Sequence, residues 1–392
     1  MSARPPGHST AEWDAIIVGA GPAGSALARR LRPRYRVLLL DRPQARAAGA
    51  ARIGESLPGA ARMLLQRLGI YDRFLAQGHA ERGASVSQWD QDTPTWFDPL
   101  RDPHGLGWHL DRVRFDADLR AAAVAAGAAL VDQVRHLKVS PAGGRWRVDL
   151  DCLGQACAAP SVRTYEAPVL VDATGRSMTA ARQLGLVRRD QDRLICLYAH
   201  LPADERDEDQ ATRICADTNG WWYSARVPSG KRVLAFHLDG DDAELKSLRD
   251  PARLLAKSRR HPLFAGIQPA TMDFPVRAQP AGGGGLDPDA LAALPEGFFA
   301  IGDAMLAFDP IASQGLFNAL ATAESTAHAI ERYIDGVDDA RVRYLDEMRS
   351  VAARYYQHLG ETYAAVTRYS QERFWRRRTP WRAGAGEIAS PI

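Results

Sequence analysis

Three glycines, Gly19, Gly21 and Gly24, stand in GxGxxG order within Gly19-Ala20-Gly21-Pro22-Ala23-Gly24. That spacing suits a diphosphate. One glycine permits a tight turn, one lets a pyrophosphate approach the main chain, and one lets a helix pack closely on a strand. The anion then lies on free amides at a helix start, where the helix dipole favours negative charge. Taken alone, the pattern also fits a glycine-rich turn without a ligand, so its flanks decide. The apolar run Ala15-Ile16-Ile17-Val18 precedes it as a buried strand, and Ala23, Ala26, Leu27 and Leu31 follow at helical spacing up to Pro33. A second apolar run, Val37-Leu38-Leu39-Leu40, ends in Asp41, twenty-two residues after Gly19, where an acid meets an adenosine ribose. Arg42 follows it. A complete dinucleotide-binding βαβ unit is predicted.

Further motifs occur in a fixed order: Arg52-Ile53-Gly54-Glu55-Ser56-Leu57, Asp111-Arg112 with Phe115-Asp116, Asp172-Ala173-Thr174-Gly175-Arg176, and Gly302-Asp303-Ala304. With the glycine turn they resemble the FAD-dependent monooxygenase superfamily of aromatic hydroxylases and tryptophan halogenases, over nearly the whole chain. The resemblance implies FAD as cofactor, with Asp303 on its ribityl hydroxyls, Arg112 on phosphate or ribityl oxygens, and Glu55 and Ser56 beside it. It also implies that Phe308-Asp309-Pro310-Ile311-Ala312-Ser313-Gln314-Gly315 faces the isoalloxazine. Pro310, Ser313 and Gln314 would then lie at the reacting end. Gly315 would open a helix suited to the anionic end of a reduced flavin. In such enzymes reduced flavin and oxygen give a C4a-hydroperoxide that must be kept dry beside an electron-rich acceptor.

An indole or phenol ring is such an acceptor, and Trp221, Trp222 and Tyr223 offer a face for stacking it, although core packing is the commoner fate of such residues. His109 and His200 are candidate proton carriers, against the blander reading of satisfied structural histidines. Gly220-Trp221-Trp222 also resembles the halogenase signature GWxWxIP. Halogen transfer, however, relays hypochlorous acid through a lysine following the Glu55-Ser56 segment, and no lysine occurs before Lys138. The family glutamate of EPLESTG is replaced by Ala312 in Asp309-Pro310-Ile311-Ala312-Ser313-Gln314-Gly315. Both departures favour oxygen transfer. Within the superfamily, Gly54-Glu55-Ser56-Leu57, Trp221-Trp222-Tyr223 and the tail Arg373-Phe374-Trp375-Arg376-Arg377-Arg378 look most like flavoproteins that oxidise tryptophan in precursors of quinone-cofactor amine enzymes. The acceptor is then an aromatic small molecule or a peptide bearing tryptophan. The basic tail is either a docking element or a solvated helix end.

The elements that must position these residues read as an α/β fold: a Rossmann-type FAD-binding domain, a sheet-rich substrate domain and a helical C-terminal tail. Arg112 to Leu130 has a helical apolar face before a strand at Leu130-Val131, and Val139 to Val162 reads as a β-meander. Strands are predicted at Val169-Leu170-Val171 and Phe298-Phe299-Ala300-Ile301. Gly220–Ala225 and Val233–His237 form a hairpin around Pro228-Ser229-Gly230-Lys231. Gly315 to Tyr333 should be a long helix, Asp338 to Arg378 a helical tail, and Gly282 to Gly285 a loop. The expected division is 12–83, 105–190 and 275–335 for the FAD-binding domain, 84–104 and 191–274 for the substrate domain, and 336–380 for the tail.

Composition sets the outer limits. The 392 residues are 46% hydrophobic and 25% charged, an ordinary globular balance. Fifty basic against 47 acidic residues leave +3, too little to argue for nucleic acid or an anionic membrane. The four cysteines, Cys152, Cys157, Cys196 and Cys215, have neither metal nor disulfide-framework spacing, so no metal and a reducing compartment are expected. Met1 to Thr10 lacks the apolar stretch of a secretory signal, and no apolar run reaches the roughly 18 to 20 residues of a membrane span. A cytoplasmic protein is expected. Electrons would come from NAD(P)H or a separate flavin reductase. A small-molecule aromatic hydroxylase, a halogenase, a geranylgeranyl-reductase-like alkene reductase and an assembly factor with structural FAD are the alternatives. Oligomeric state is not legible.

Overall fold

The structure is a computed structural model that describes residues 12–42, 53–98, 101–152, 163–190, 192–202 and 207–379. Arg52, Cys157 and the Met1–Thr10 segment lie outside the described residues. Five parallel strands make one sheet in the order Phe298–Ala300, Val169–Asp172, Ala15–Val18, Val37–Leu40, Ala129–Val131. Their unbroken apolar runs follow from burial on both faces. Helix Pro22–Leu31 packs between Gly315–Ile334 and Arg112–Ala125 on one face. An antiparallel meander, Val134–Ala142, Arg145–Cys152 and Arg163–Ala167, covers the other, where Trp146 meets Phe298 with ring centroids 5.5 Å apart.

A second sheet has seven strands in the order Arg277–Pro280, Leu194–Pro202, Lys231–Asp239, Gly220–Arg226, Thr212–Asp217, Ser85–Gln88, Thr95–Phe97. The expected hairpin joins Gly220–Arg226 to Lys231–Asp239 in antiparallel register. The glycine quartet is not a plain loop. Gly284–Leu286 is a short strand paired with Arg188–Asp190 and Leu306–Ala307, because residues without Cβ can approach so closely: a Cβ on Gly285 would lie 2.7 Å from Met305 O.

The tail is likewise not one helix. Ala340–Ala364 ends where the Asp90 carboxylate accepts the amides of Thr367 and Arg368 at 2.6 and 3.0 Å, and only Arg373–Arg376 is helical again. Its basic run is largely consumed within the chain. Arg373 pairs with Asp241, and Arg377 with Asp239 and Asp241. Arg378 is fully buried, pairs with Asp192 and Asp239 at 2.5 and 2.9 Å, and lies 3.7 Å over the Phe374 ring. Phe374 and Trp375 are buried beside Tyr363 and Trp89. The tail is therefore part of the core of the second sheet. Arg378→Met would take the ion pair from Asp192 and leave Asp239 with Arg377 alone, and the expected cost is about 3–5 kcal/mol of stability. Urea denaturation checks it, and an unchanged midpoint would show the anchor to be dispensable.

Candidate active site

Shared register brings the loops of the parallel sheet to one edge. Val18 lies level with Leu40 and Asp172, and Asp172 with Ala300, so Gly19, Asp41, Ala173 and Gly302-Asp303 emerge side by side. Ligands of open parallel sheets bind beyond this carboxyl edge. A cavity of about 660 Å³ lies there, closed on its other side by the seven-stranded sheet and the Phe308–Gly315 loop. Gly19, Gly21, Asp41, Arg42, Glu55 and Ser56 line it. So do Arg112, Asp303, Pro310, Ser313, Gln314, Gly315 and Trp221. Of the predicted cofactor-binding and reacting-end residues, Gly24 and Trp222 stand outside its wall.

The three glycines do separate work. Gly19 has φ +105°, and a Cβ there would lie 2.5 Å from Ala173 O. A Cβ on Gly24 would fall 1.9 Å from Gly19 O, so this position sets the approach of helix to strand. At Gly21 an added Cβ meets nothing within 4 Å, because the position faces the open cavity. Helix Pro22–Leu31 starts at Gly21 without a side-chain cap or an acidic residue in its first turn. Its dipole is thus left for an outside anion, and the cradle fits a diphosphate. Arg112 is held by Asp116 at 3.1 and 3.2 Å and donates to Gly54 O at 2.8 Å. Asp41 pairs with Arg120 at 3.2 Å. Asp303 lies 3.5 Å from Arg176, which also donates to the carbonyls of Ala281, Gly282 and Phe308. Enclosure raises the Asp303 carboxyl, against the opposing charge of Arg176. These residues could hold the diphosphate and sugar hydroxyls of FAD.

At the far wall, strand alternation sends Trp221 and Tyr223 into the cavity and Trp222 away from it. Trp222 packs on Phe236 at 4.4 Å and donates to Asp217 at 2.9 Å, in a core that also holds Phe264. Its expected place at the reacting end is therefore corrected. For the two histidines the structure agrees with the blander, structural reading. His109 is buried against Thr212 at 3.0 Å, His200 lies beside Tyr198, and neither lines the cavity. Two other histidines, His136 and His237, line the cavity; His237 is stacked on Trp221 with centroids 3.6 Å apart, and burial pushes it down to about 3.

Sequence reasoning also missed the contacts of the carboxylates. Glu55 is buried and accepts from Tyr223 Oη at 2.7 Å and from Gly54 N–H at 2.8 Å, and burial raises its carboxyl. Asp309, quoted within the loop motif but given no role, is buried in the wall and bonded to Tyr363 at 2.9 Å. One available signal was the eight-residue spacing of Tyr355 and Tyr363, which puts both on one helix face. The loop itself turns through Ser313 at φ 50°, a left-handed conformation uncommon for serine. A second cavity of about 540 Å³ lies between Gly315–Ile334 and Ala340–Ala364 and shares Phe308 and Gln314 with the first. No cluster of metal-ligating side chains occurs among the described residues.

The glycines predict opposite outcomes for one substitution. Gly21→Ala should leave thermal stability unchanged and weaken FAD binding tenfold or more, about 1.4 kcal/mol. Gly24→Ala should instead cost about 1–3 kcal/mol of stability by overpacking. Calorimetric titration and thermal melts of the two variants check this.

Residues 12–195 match the FAD binding domain family. A putative FAD-dependent oxidoreductase, LodB of Marinomonas mediterranea, is 26% identical over 385 residues, covering 93% of this chain and 96% of that protein. The flavin-dependent halogenase CmlS superposes with a TM-score of 0.78 at 22% identity, over 95% of this chain and 68% of its own. The peptidyl tryptophan dihydroxylase QhpG, essential for tryptophylquinone cofactor biogenesis, gives 0.73 at 20% identity, over 97% and 80%. No helix among the described residues is long and apolar enough to cross a membrane. With its diphosphate cradle at the edge of the parallel sheet, the chain is a flavin-dependent oxidoreductase that carries an FAD-binding domain over residues 12–195 and has the fold of the FAD-dependent monooxygenase superfamily.

Proposed function

We propose that this protein is a monooxygenase that hydroxylates an indole-type ring, with a tryptophan side chain in a peptide as the favoured acceptor. The observation that carries the reading is the make-up of the reacting wall. It is aromatic and carboxylate-rich, and none of the four lysines lines either cavity. Lys257 is occupied with Glu244 and Asn219, at 2.8 and 3.0 Å. A halogen relay needs a lysine amine between flavin and acceptor, so its absence from the wall favours oxygen transfer. Likeness to a peptidyl tryptophan dihydroxylase supports the same choice.

FAD, when bound, supplies the reduced ring that activates dioxygen. The chain's own part is to bind and orient. Gly21 and the amides of the following helix take the diphosphate, with Arg112 and Asp303 on the phosphate and ribityl oxygens. The Pro310–Gln314 turn and the Trp221 face hold the acceptor ring and keep bulk water away from it. Ring attack on an electrophilic oxygen needs alignment more than a protein nucleophile, which agrees with the wall described. Gln314 and Gly315 are exposed, so an acceptor attached to a larger chain can reach the loop. The division into two domains and a tail, with the boundaries given above, is part of this proposal. The electrons come from NAD(P)H or from a separate reductase.

Isotope labelling tests the reading. With a reductant, labelled dioxygen should place oxygen-18 in an indole-bearing peptide, and in free tryptophan more slowly. Label arriving from water would refute oxygenation. Halogen incorporation when bromide is added would establish halogen transfer instead, and anaerobic saturation of an alkene would establish a reductase.

A further inference from the structure

One carboxylate of the cavity wall belongs neither to the cofactor cradle nor to the aromatic face. Asp309 is 1% exposed at the start of the loop that ends at Gly315. One of its oxygens accepts the Ile311 N–H at 2.9 Å and so caps the Pro310–Ala312 turn. The other accepts from Tyr363 Oη at 2.9 Å, and that hydroxyl oxygen in turn accepts from Trp221 Nε1–H at 3.1 Å. The Asp309 amide donates to Tyr355 Oη at 2.6 Å. The loop and helix Ala340–Ala364 therefore meet at this residue, and the second sheet is joined to it through Trp221 and the Tyr363 hydroxyl. Every hydrogen bond the carboxylate accepts among these comes from a neutral donor, and the charge of Arg378 opposes its desolvation only in part. A carboxylate so desolvated holds a proton more readily than one in water.

We infer that Asp309 is the base that removes the ring proton from the aromatic acceptor after the transferred atom has added. The inference rests on the aromatic-acceptor reading above. In this step the bond between the substituted ring carbon and its hydrogen breaks. Its electron pair returns to the ring and restores aromaticity, and a new O–H bond forms on the Asp309 carboxylate. Charge balances, because the ring sheds one positive charge and the carboxylate loses one negative charge. Tyr363 is a positioning residue: its hydroxyl fixes the carboxylate and spans to the Trp221 indole, which lines the same cavity.

The surrounding charges agree with a base that works near neutrality. Behind Asp309 stand Asp192 and Arg378, the latter paired with Asp192 and Asp239. From helix Ala340–Ala364 come the neutral hydroxyls of Tyr355 and Tyr363, both raised by burial. Across the cavity are neutral His237 and the Glu55–Tyr223 pair, while Arg176 donates to Phe308 O and faces Asp303. Burial, followed by the charge of Asp192, pushes the Asp309 carboxyl up to about 7. A group so poised is part ionised at neutral pH, as a general base requires.

Asp309→Asn tests the inference, since the amide oxygen can still cap Ile311. The wild-type rate of acceptor hydroxylation should rise with pH through about 7. The variant should lose that rise, together with a factor on the order of 10²–10⁴ in kcat. Tyr363→Phe removes a hydrogen bond that favours the ionised form, so its rise should move to higher pH with KM little changed. Asp309→Glu should restore a pH-dependent rise. A readout independent of turnover is infrared difference spectroscopy of the FAD-loaded protein. A protonated-carboxyl band should fade as pH rises through about 7 and be absent from Asp309→Asn. If indole hydroxylation proceeds and Asp309→Asn keeps the pH-dependent rise, the inference is overturned and the proposed function stands. If no aromatic acceptor is turned over, the proposed function falls. The band then decides whether Asp309 holds a proton near neutrality, and a carboxylate ionised throughout the neutral range overturns the inference as well.

Discussion

Parallel strands that end level with one another are the constraint on which the rest of this structure depends. Because Val18, Leu40, Asp172 and Ala300 share register, four chain segments far apart in sequence leave the sheet at one edge. The glycine turn, Asp41, the Thr174–Arg176 segment and Asp303 become neighbours without any direct interaction among most of them. A one-step slip of any strand would reverse its buried faces, which apolar runs covered on both sides resist only through packing shape and the connecting turns. Gly24 supplies that shape, since the helix can seat on the strand only where no Cβ intervenes.

The second sheet turns a nucleotide crevice into an enclosed site. It contributes Trp221, Tyr223, Cys196 and His237 to the wall, and it does so by strand alternation. Enclosure also determines the electrostatics. Glu55, Asp303 and Asp309 all have their carboxyls raised by burial, although each is bonded or faced differently. Glu55 and Asp309 rely on neutral donors, whereas Asp303 faces Arg176. The tail completes the arrangement, because Arg378, Phe374 and Trp375 hold the region of Tyr363 against the sheet. A run of arginines that reads as a docking element in the sequence is thereby a structural strut, with Arg373, Arg377 and Arg378 paired inside the chain.

Much of the cofactor side was legible from residues alone. A strand, a glycine turn, a helix and an acid follow one another within thirty residues, and each is a local pattern. The aromatic strand was also recognisable, though not its orientation: Trp221 and Trp222 are equivalent in any count of composition or period. Likewise the glycine quartet gave no apolar signal, because its strand pairing depends on backbone approach rather than on side chains.

By itself, then, the sequence determined a dinucleotide cradle, an α/β frame and a second, sheet-rich region, since all three follow from the order of neighbouring residues. Only the tertiary structure decided that Trp222 faces a core, that His237 rather than His109 or His200 meets the cavity, and that the tail is an internal anchor. It alone joined Trp221 to Tyr363 across 142 positions and Tyr363 to Asp309 across 54. Contacts at such separations are settled by the packing of whole sheets and helices against one another, and no local spacing records them.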